Sequence, residues 1–104
     1  MELASDKKAV DVVMLRTAEV TSMADYFVIC SGRSERQVSA LAGSIVDDLR
    51  DEGIKPIGTE GTAAARWVLI DYGAVIVHVF AAEEREYYGL ERLWSNAAQV
   101  VRVV

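Results

Sequence analysis

The chain has 104 residues, of which 52% are hydrophobic and 26% are charged. This length and composition predict one globular domain, residues 1–104, with a single hydrophobic core. Eleven basic residues against sixteen acidic ones give a formal charge of −5, which argues against non-specific binding to a phosphate backbone and against direct sequence-specific nucleic acid binding. A macromolecular partner is therefore expected to be a basic protein.

The chain contains one cysteine, so neither an intrachain disulfide nor a thiolate zinc site is expected. Cys30 follows three apolar residues, which favours a buried thiol. No signal segment begins the chain, and no apolar run reaches the roughly 18 residues that span a bilayer. We therefore expect a cytoplasmic protein with no membrane contact.

Two apolar segments in the first third of the chain predict strands. Residues 10–15 are apolar and rich in β-branched side chains. Residues 26–30 form an almost continuous apolar run, which is typical of a central strand covered on both faces. Residues 1–8 are expected to form a single helical turn, and residues 16–23 carry no clear pattern.

The clearest helix of the chain begins after Ser34. Ser34 and Gln37 have the spacing of a capping box, in which the hydroxyl accepts a free backbone N–H and the amide reaches back. Apolar residues follow at helical spacing and predict one buried stripe: Val38, Leu41, Ala42, Ile45 and Leu49. We expect the helix to end at Gly53 in a left-handed conformation, shortly before Pro56.

The second half of the chain predicts a hairpin between two less regular regions. Residues 57–65 are expected to form a connection, and residues 67–80 two strands joined by a tight turn at Gly73. Residues 83–86 place acidic side chains in the first turn of a second helix, which is expected to continue through Gly89 to Trp94. Residues 100–104 would add an edge strand or stay loose. This order of elements predicts an α/β fold, a mixed β-sheet with packed helices.

The predicted hairpin has two different faces, because side chains alternate along a strand. One face is purely a core face: Val68, Ile70, Tyr72, Val75, Val77 and Val79. The other face carries the remaining residues: Trp67, Leu69, Asp71, Ile76, His78 and Phe80. The second face holds the only histidine of the chain together with a tryptophan and a carboxylate, so functional residues are expected there.

Nucleotide chemistry has two candidate features in this sequence. Residues 31–34, Ser-Gly-Arg-Ser, join a strand to a helix N-terminus and resemble the turn with which nucleotidyltransferases hold a triphosphate, although a plain tight turn is the alternative. Magnesium would need two or three converging carboxylates. On the hairpin only Asp71 fits, because its expected neighbour across the turn is Ala74. Asp25 or Glu60 would have to complete such a site.

His78 and Trp67 each allow a structural and a functional interpretation. His78 has no second histidine or cysteine with which to hold a metal, and no motif places a nucleophile beside it, so a histidine hydrogen-bonded within the sheet is favoured. Trp67 is compatible with a core residue and equally with the anchor of a protein interface, where tryptophan is over-represented.

Six segments, taken in order, resemble a known family. They are ADYFVICSG at 24–32, SERQV at 34–38, EG at 60–61, WVLIDYG at 67–73, VIVHVF at 75–80 and EREYYGLERLW at 84–94. In combination these segments resemble the ribosomal silencing factor family, also called Iojap, over residues 8–97. The family usually has an acidic residue where Ala74 stands and a longer helix ahead of residues 7–8, and we expect the short segment here to weaken a dimer contact.

The resemblance implies a nucleotidyltransferase-like α/β fold that is not an enzyme and uses no cofactor. It implies binding to the large ribosomal subunit through ribosomal protein L fourteen, which blocks joining of the small subunit and represses translation. It also implies that the free protein can form a homodimer. The alternative is a nucleotidyltransferase-fold enzyme or a nucleotide-binding protein that uses Ser31, Gly32 and Asp71.

The partner-binding surface is expected on the second hairpin face, at Trp67, Asp71 and His78. Tyr88 and Glu91 of the last helix are its outer candidates. The role of these residues in ribosome contact is what the resemblance implies. Trp67 would be the desolvated anchor, while Asp71 and Glu91 would meet arginines or lysines of a basic partner. No residue is expected to be catalytic or to bind a metal.

Overall fold

The structure is a computed structural model and describes residues 10–18, 22, 24–62, 66–93 and 98–103. The elements within these residues are β1 Val10–Arg16, β2 Tyr26–Gly32, α1 Glu35–Asp51, β3 Gly58–Thr62, β4 Trp67–Asp71, β5 Val75–Ala81, α2 Ala82–Tyr88, α3 Leu90–Leu93 and β6 Ala98–Val103. The helical turn predicted within residues 1–8, and the predicted end of the last helix at Trp94, lie outside the described residues.

The strands form one mixed sheet in the order β3-β4-β5-β2-β1-β6. β2 and β5 are parallel, and the other neighbouring pairs are antiparallel. The predicted α/β class with a mixed sheet is therefore confirmed. The C-terminal segment pairs with β1 as an edge strand, which was one of its two predicted states.

The core lies on both faces of this sheet, since alternate residues of the central strands point in opposite directions. On one face α1 packs against the sheet, and the fully buried members of that layer include Val12, Cys30, Val38, Leu41, Ile70 and Val79. On the other face the buried layer contains Val13, Leu15, Ala24, Phe27, Ile29, Ile76 and Phe80. The central, doubly covered position predicted for β2 is confirmed.

The predicted start of α1 after Ser34 is confirmed. The Ser34 Oγ accepts a hydrogen bond from the Gln37 backbone N–H at 3.2 Å. The Gln37 side chain reaches back as predicted, but it accepts from the Arg33 N–H, one residue before the cap, and not from the Ser34 N–H of a standard capping box. At the other end the chain leaves the helix at Glu52, and Gly53 has the predicted left-handed φ of 84°.

The prediction of a connection over residues 57–65 is wrong, because the segment contains strand β3. All five residues of β3 are exposed, and none is a large apolar residue, so no apolar alternation revealed the strand in the sequence. Its backbone hydrogen bonds with β4 form the strand instead. Gly61 allows the close pairing: it has a φ of 78°, and a Cβ there would lie 2.2 Å from the Trp67 carbonyl oxygen.

The prediction of one continuous second helix is also wrong. α2 ends at Tyr88, and Gly89 adopts a left-handed conformation with a φ of 60°, its N–H donating to the Arg85 carbonyl. A left-handed residue cannot continue a right-handed helix, so the chain turns and begins the separate helix α3 at Leu90. This turn at Gly89 places Tyr88 beside the start of β4.

Candidate partner-binding surface

The register between β4 and β5 confirms the two predicted hairpin faces. Trp67 lies opposite Phe80, and Leu69 lies opposite His78. Asp71 lies opposite Ile76, so the prediction of Ala74 as its neighbour across the turn is wrong. The hydrogen bond from the Tyr72 N–H to the Val75 carbonyl, 2.9 Å, leaves Ala74 inside the turn itself. The carboxylate of Asp71 stabilises this turn by accepting from the Gly73 N–H at 2.7 Å.

Aromatic rings cluster around Trp67. The indole stacks on Phe80 with the ring centroids 5.0 Å apart, and it contacts the ring of Tyr88 at a centroid distance of 4.6 Å. Trp67 is half-buried and Tyr88 is 45% exposed, so the pair lies at the surface. Trp67 packs against the buried layer that contains Phe80 and is also partly exposed. It is therefore both a core residue and a surface group.

His78 lies beneath this pair and is only 4% exposed. Its Nδ1 accepts a hydrogen bond from the Trp67 Nε1–H at 3.3 Å. The rings of Phe27 and Phe80 also pack against the imidazole. Burial in these apolar surroundings lowers the pKa of the His78 imidazole from 6.5 to about 4, so the ring is neutral near pH 7.

A groove runs over β3 and β4 beside the aromatic pair. Its first part, about 260 Å³, is lined by Glu60, Gly61, Trp67, Leu69 and Tyr88. A second part of about 320 Å³ shares Glu60 and Leu69 and extends to Ile57, Gly58, Thr59, Asp71 and Ile76. We call the two parts together the β3–β4 groove. It connects Trp67 at one end with Asp71 at the other and has the exposed carboxylate of Glu60 between them.

Arg85 connects the elements that carry Tyr88 and Glu91. Its side chain is buried, its Nε donates to the Glu91 Oε1 at 2.7 Å, and its Nη1 donates to the Ser31 Oγ at 2.9 Å. One guanidinium therefore ties α2 to α3 and to the end of β2. The carboxylate of Glu91 is engaged within the fold by this contact.

Three polar groups of the turn over residues 31–34 also have partners within the fold. Ser31 accepts from Arg85, Ser34 caps α1, and the Arg33 N–H donates to Gln37. Among the described residues, no group of three histidine, cysteine, aspartate or glutamate side chains lies close enough to hold a metal ion. Cys30 is buried, and burial raises the pKa of its thiol to about 12, which makes it unreactive.

The comparison with known families decides the relationship of this chain. The family model described as "Ribosomal silencing factor during starvation" matches residues 1–103. The chain belongs to the ribosomal silencing factor family. The resemblance of the six sequence segments is thereby confirmed.

Within the part of the chain that the structure describes, no helix combines the length and the apolar character needed to cross a bilayer.

Relatives of this silencing-factor chain occur in distant organisms. "Ribosomal silencing factor RsfS" of Bacillus subtilis is 48% identical over 92 residues, which cover 88% of this chain and 78% of that protein. "Mitochondrial assembly of ribosomal large subunit protein 1" of Mus musculus is 31% identical over 98 residues, covering 91% of this chain and 43% of that protein. A crystal structure of a Chromobacterium violaceum protein superposes with a TM-score of 0.86 at 37% identity, covering 99% of this chain and 85% of that one.

The structure brings some predicted site residues together and separates others. The Trp67 ring lies beside both His78 and Tyr88, with His78 below the surface. Asp71 lies at the far end of the β3–β4 groove, and Glu91 faces Arg85. Alternation had placed Leu69 on this hairpin face without giving it a role, and Glu60 had been considered only as part of a metal site. Sequence reasoning missed Arg85 as a buried link, because its contact with Ser31 spans 54 positions and leaves no local signal.

Proposed function

We propose that this protein binds the large ribosomal subunit through ribosomal protein L fourteen, blocks joining of the small subunit and so represses translation. Its membership of the silencing factor family supports this role. The name of the mouse relative, which refers to the ribosomal large subunit, supports a large-subunit partner. The role requires binding and no catalysis. A homodimer of the free protein stays a prediction.

We place the binding surface at the β3–β4 groove because the rings of Trp67 and Tyr88 contact each other there, beside an acidic side chain. Two partly exposed rings present apolar area and negative π-faces. Glu60 adds a carboxylate to the same groove. Arginine and lysine side chains bind such a site through their aliphatic stems, through cation–π contact and through an ion pair.

The charges of the chain agree with a basic partner. The net charge of −5 favours encounter with a positively charged protein surface. At the ends of the β3–β4 groove, we assign Trp67 the role of a desolvated anchor and Asp71 that of a second contact for basic side chains. Glu91 supports the surface indirectly. Its contact with Arg85 stabilises the turn between α2 and α3, which directly follows Tyr88.

Co-sedimentation with isolated large subunits tests the proposal. Trp67→Ala should weaken binding by about 2 kcal/mol or more, as expected for an interface anchor, and should abolish the block of subunit joining at wild-type concentrations. Glu60→Gln should slow association and reduce its salt dependence, as expected for a charge at the rim. Glu52→Gln, an exposed change at the end of α1, is the matched charge control and should bind normally.

Circular dichroism must first show that each variant is folded. A folded Trp67→Ala variant that binds large subunits and prevents joining like the wild type would refute this surface. Loss of binding by Glu52→Gln as large as that by Glu60→Gln would show that net charge, and not the β3–β4 groove, governs association.

A further inference from the structure

The hydrogen bond between Trp67 and His78 determines how the indole is presented. An indole N–H can only donate, so the His78 Nδ1 at 3.3 Å must carry a lone pair. The imidazole is therefore neutral, with its proton on Nε2. The polar edge of the indole points into the sheet toward a residue that is 4% exposed, and the indole has no N–H left to offer to a partner.

A histidine at this buried position costs stability. Among the described residues its Nε2 has no hydrogen-bond partner. Its Nδ1 accepts the hydrogen bond from Trp67. A buried polar atom without a partner costs free energy that an apolar residue would avoid. An apolar residue, however, would leave the Trp67 N–H without its acceptor.

The surroundings of the indole show what this acceptor controls. The Phe80 ring stacks on the indole with an angle of 25° between the ring planes. The Tyr88 ring contacts the indole beside the β3–β4 groove, with an interplanar angle of 44°. If the N–H lost its acceptor, the indole would gain hydration by turning its polar edge toward water. That rotation would change the contact with Tyr88 and the shape of the groove.

We propose that His78 is a positioning residue, which holds the Trp67 indole in the orientation that presents only its apolar ring to the partner. The inference rests on the proposed function, because it concerns the same surface. His78 itself does not touch the partner. The partner group that meets Trp67 is accordingly an aliphatic or cationic side chain and not a hydrogen-bond acceptor.

Three substitutions separate positioning from mere packing. In His78→Asn the amide oxygen can occupy the place of Nδ1 and accept the indole N–H. In His78→Gln the acceptor lies one bond further out, so the side chain stays polar but the acceptor is misplaced. His78→Leu removes the acceptor entirely. We expect His78→Asn to bind large subunits within about threefold of the wild type, and the other two variants to bind about tenfold more weakly.

The indole N–H resonance of Trp67 is a second readout, which does not involve the ribosome. The chain has two tryptophans, so a Trp94→Phe variant assigns the signal. In the wild type and in His78→Asn, this N–H should exchange slowly with water. In His78→Gln and His78→Leu it should exchange fast and shift toward the position of a hydrated indole. The wild-type measurement stands even if one of the variants fails to fold.

The outcomes distinguish this inference from the proposed function. If Trp67→Ala abolishes binding while His78→Leu and His78→Gln bind like the wild type, the positioning role is wrong and the surface stands. Fast exchange of the Trp67 N–H in the wild type would also overturn the positioning role. If Trp67→Ala binds normally, the proposed surface fails, and the role of His78 in partner binding fails with it.

Discussion

Arg85 and Ser31 are 54 positions apart in sequence, and the arginine Nη1 donates to the serine Oγ at 2.9 Å. The same guanidinium donates through Nε to Glu91. Because α2 and α3 meet at Gly89, this contact helps to fix the angle between the two short helices, together with the hydrogen bond from the Arg92 Nη2 to the Glu86 carbonyl at 3.1 Å. The orientation of Tyr88, the last residue of α2, depends on that angle.

Removal of the Glu91 carboxylate should therefore destabilise the fold. In Glu91→Ala the buried Arg85 loses a charged acceptor, and we expect the free energy of unfolding to fall by about 1.5–3 kcal/mol, the range for a hydrogen bond to a charged group. Urea denaturation measures the change. Glu86→Ala, an exposed change in α2, should stay within about 0.5 kcal/mol of the wild type. Equal stability of both variants would contradict a structural role of Glu91.

Gly61 should not tolerate a side chain. Gly61→Ala would force a Cβ against the Trp67 carbonyl oxygen at a φ of 78°, so β3 must move away from β4. We expect a loss of about 2 kcal/mol or more in stability and weaker binding to large subunits, since Glu60 and Trp67 both line the groove. Gly58→Ala is the matched control for stability, because a Cβ there meets nothing within 4 Å. An equal effect of both changes would show that the β3–β4 pairing does not require Gly61.

His78 should make stability depend on pH below about 6.5. The unfolded imidazole binds a proton as the pH falls through 6.5, whereas the folded one does so only near a pKa of about 4. The unfolded state therefore binds more protons between these values, and stability falls with decreasing pH by roughly 3 kcal/mol in total. The unfolding free energies of the wild type and of His78→Asn are measured across this pH range. The carboxylates contribute equally to both proteins, so their effects cancel in the difference. A difference independent of pH would mean that the ring is protonated freely in the fold.

Nucleotides should not bind tightly. The serines of the turn over residues 31–34 already accept hydrogen bonds within the fold, and Asp71 already accepts from Gly73. Calorimetric titration with ATP, GTP and CTP in the presence of magnesium should give no micromolar binding. A clear micromolar isotherm would favour the nucleotidyltransferase alternative, and Ser34→Ala would then test whether the turn holds the phosphates.

Sequence alone determined the elements whose signals lie within a few neighbouring residues. The start of α1 followed from Ser34 and Gln37, because a capping box joins groups three positions apart. The placement of Trp67 opposite Phe80 followed from alternation about a short turn. β2 was recognisable as a central strand because both of its faces need apolar residues.

Tertiary structure decided what depends on residues brought together from distant parts of the chain. β3 has exposed side chains on both faces, so only its pairing with β4 makes it a strand. The burial of His78 requires the hairpin to pair with β2, whose Phe27 ring packs against the imidazole, and the contact of Arg85 with Ser31 requires β2 and α2 to meet. Periodicity and caps act over one or two turns of chain, whereas burial and long-range hydrogen bonds exist only in the packed molecule. The candidate surface depends on these long-range contacts, and the sequence could therefore name Trp67 and Tyr88 without showing that their rings meet.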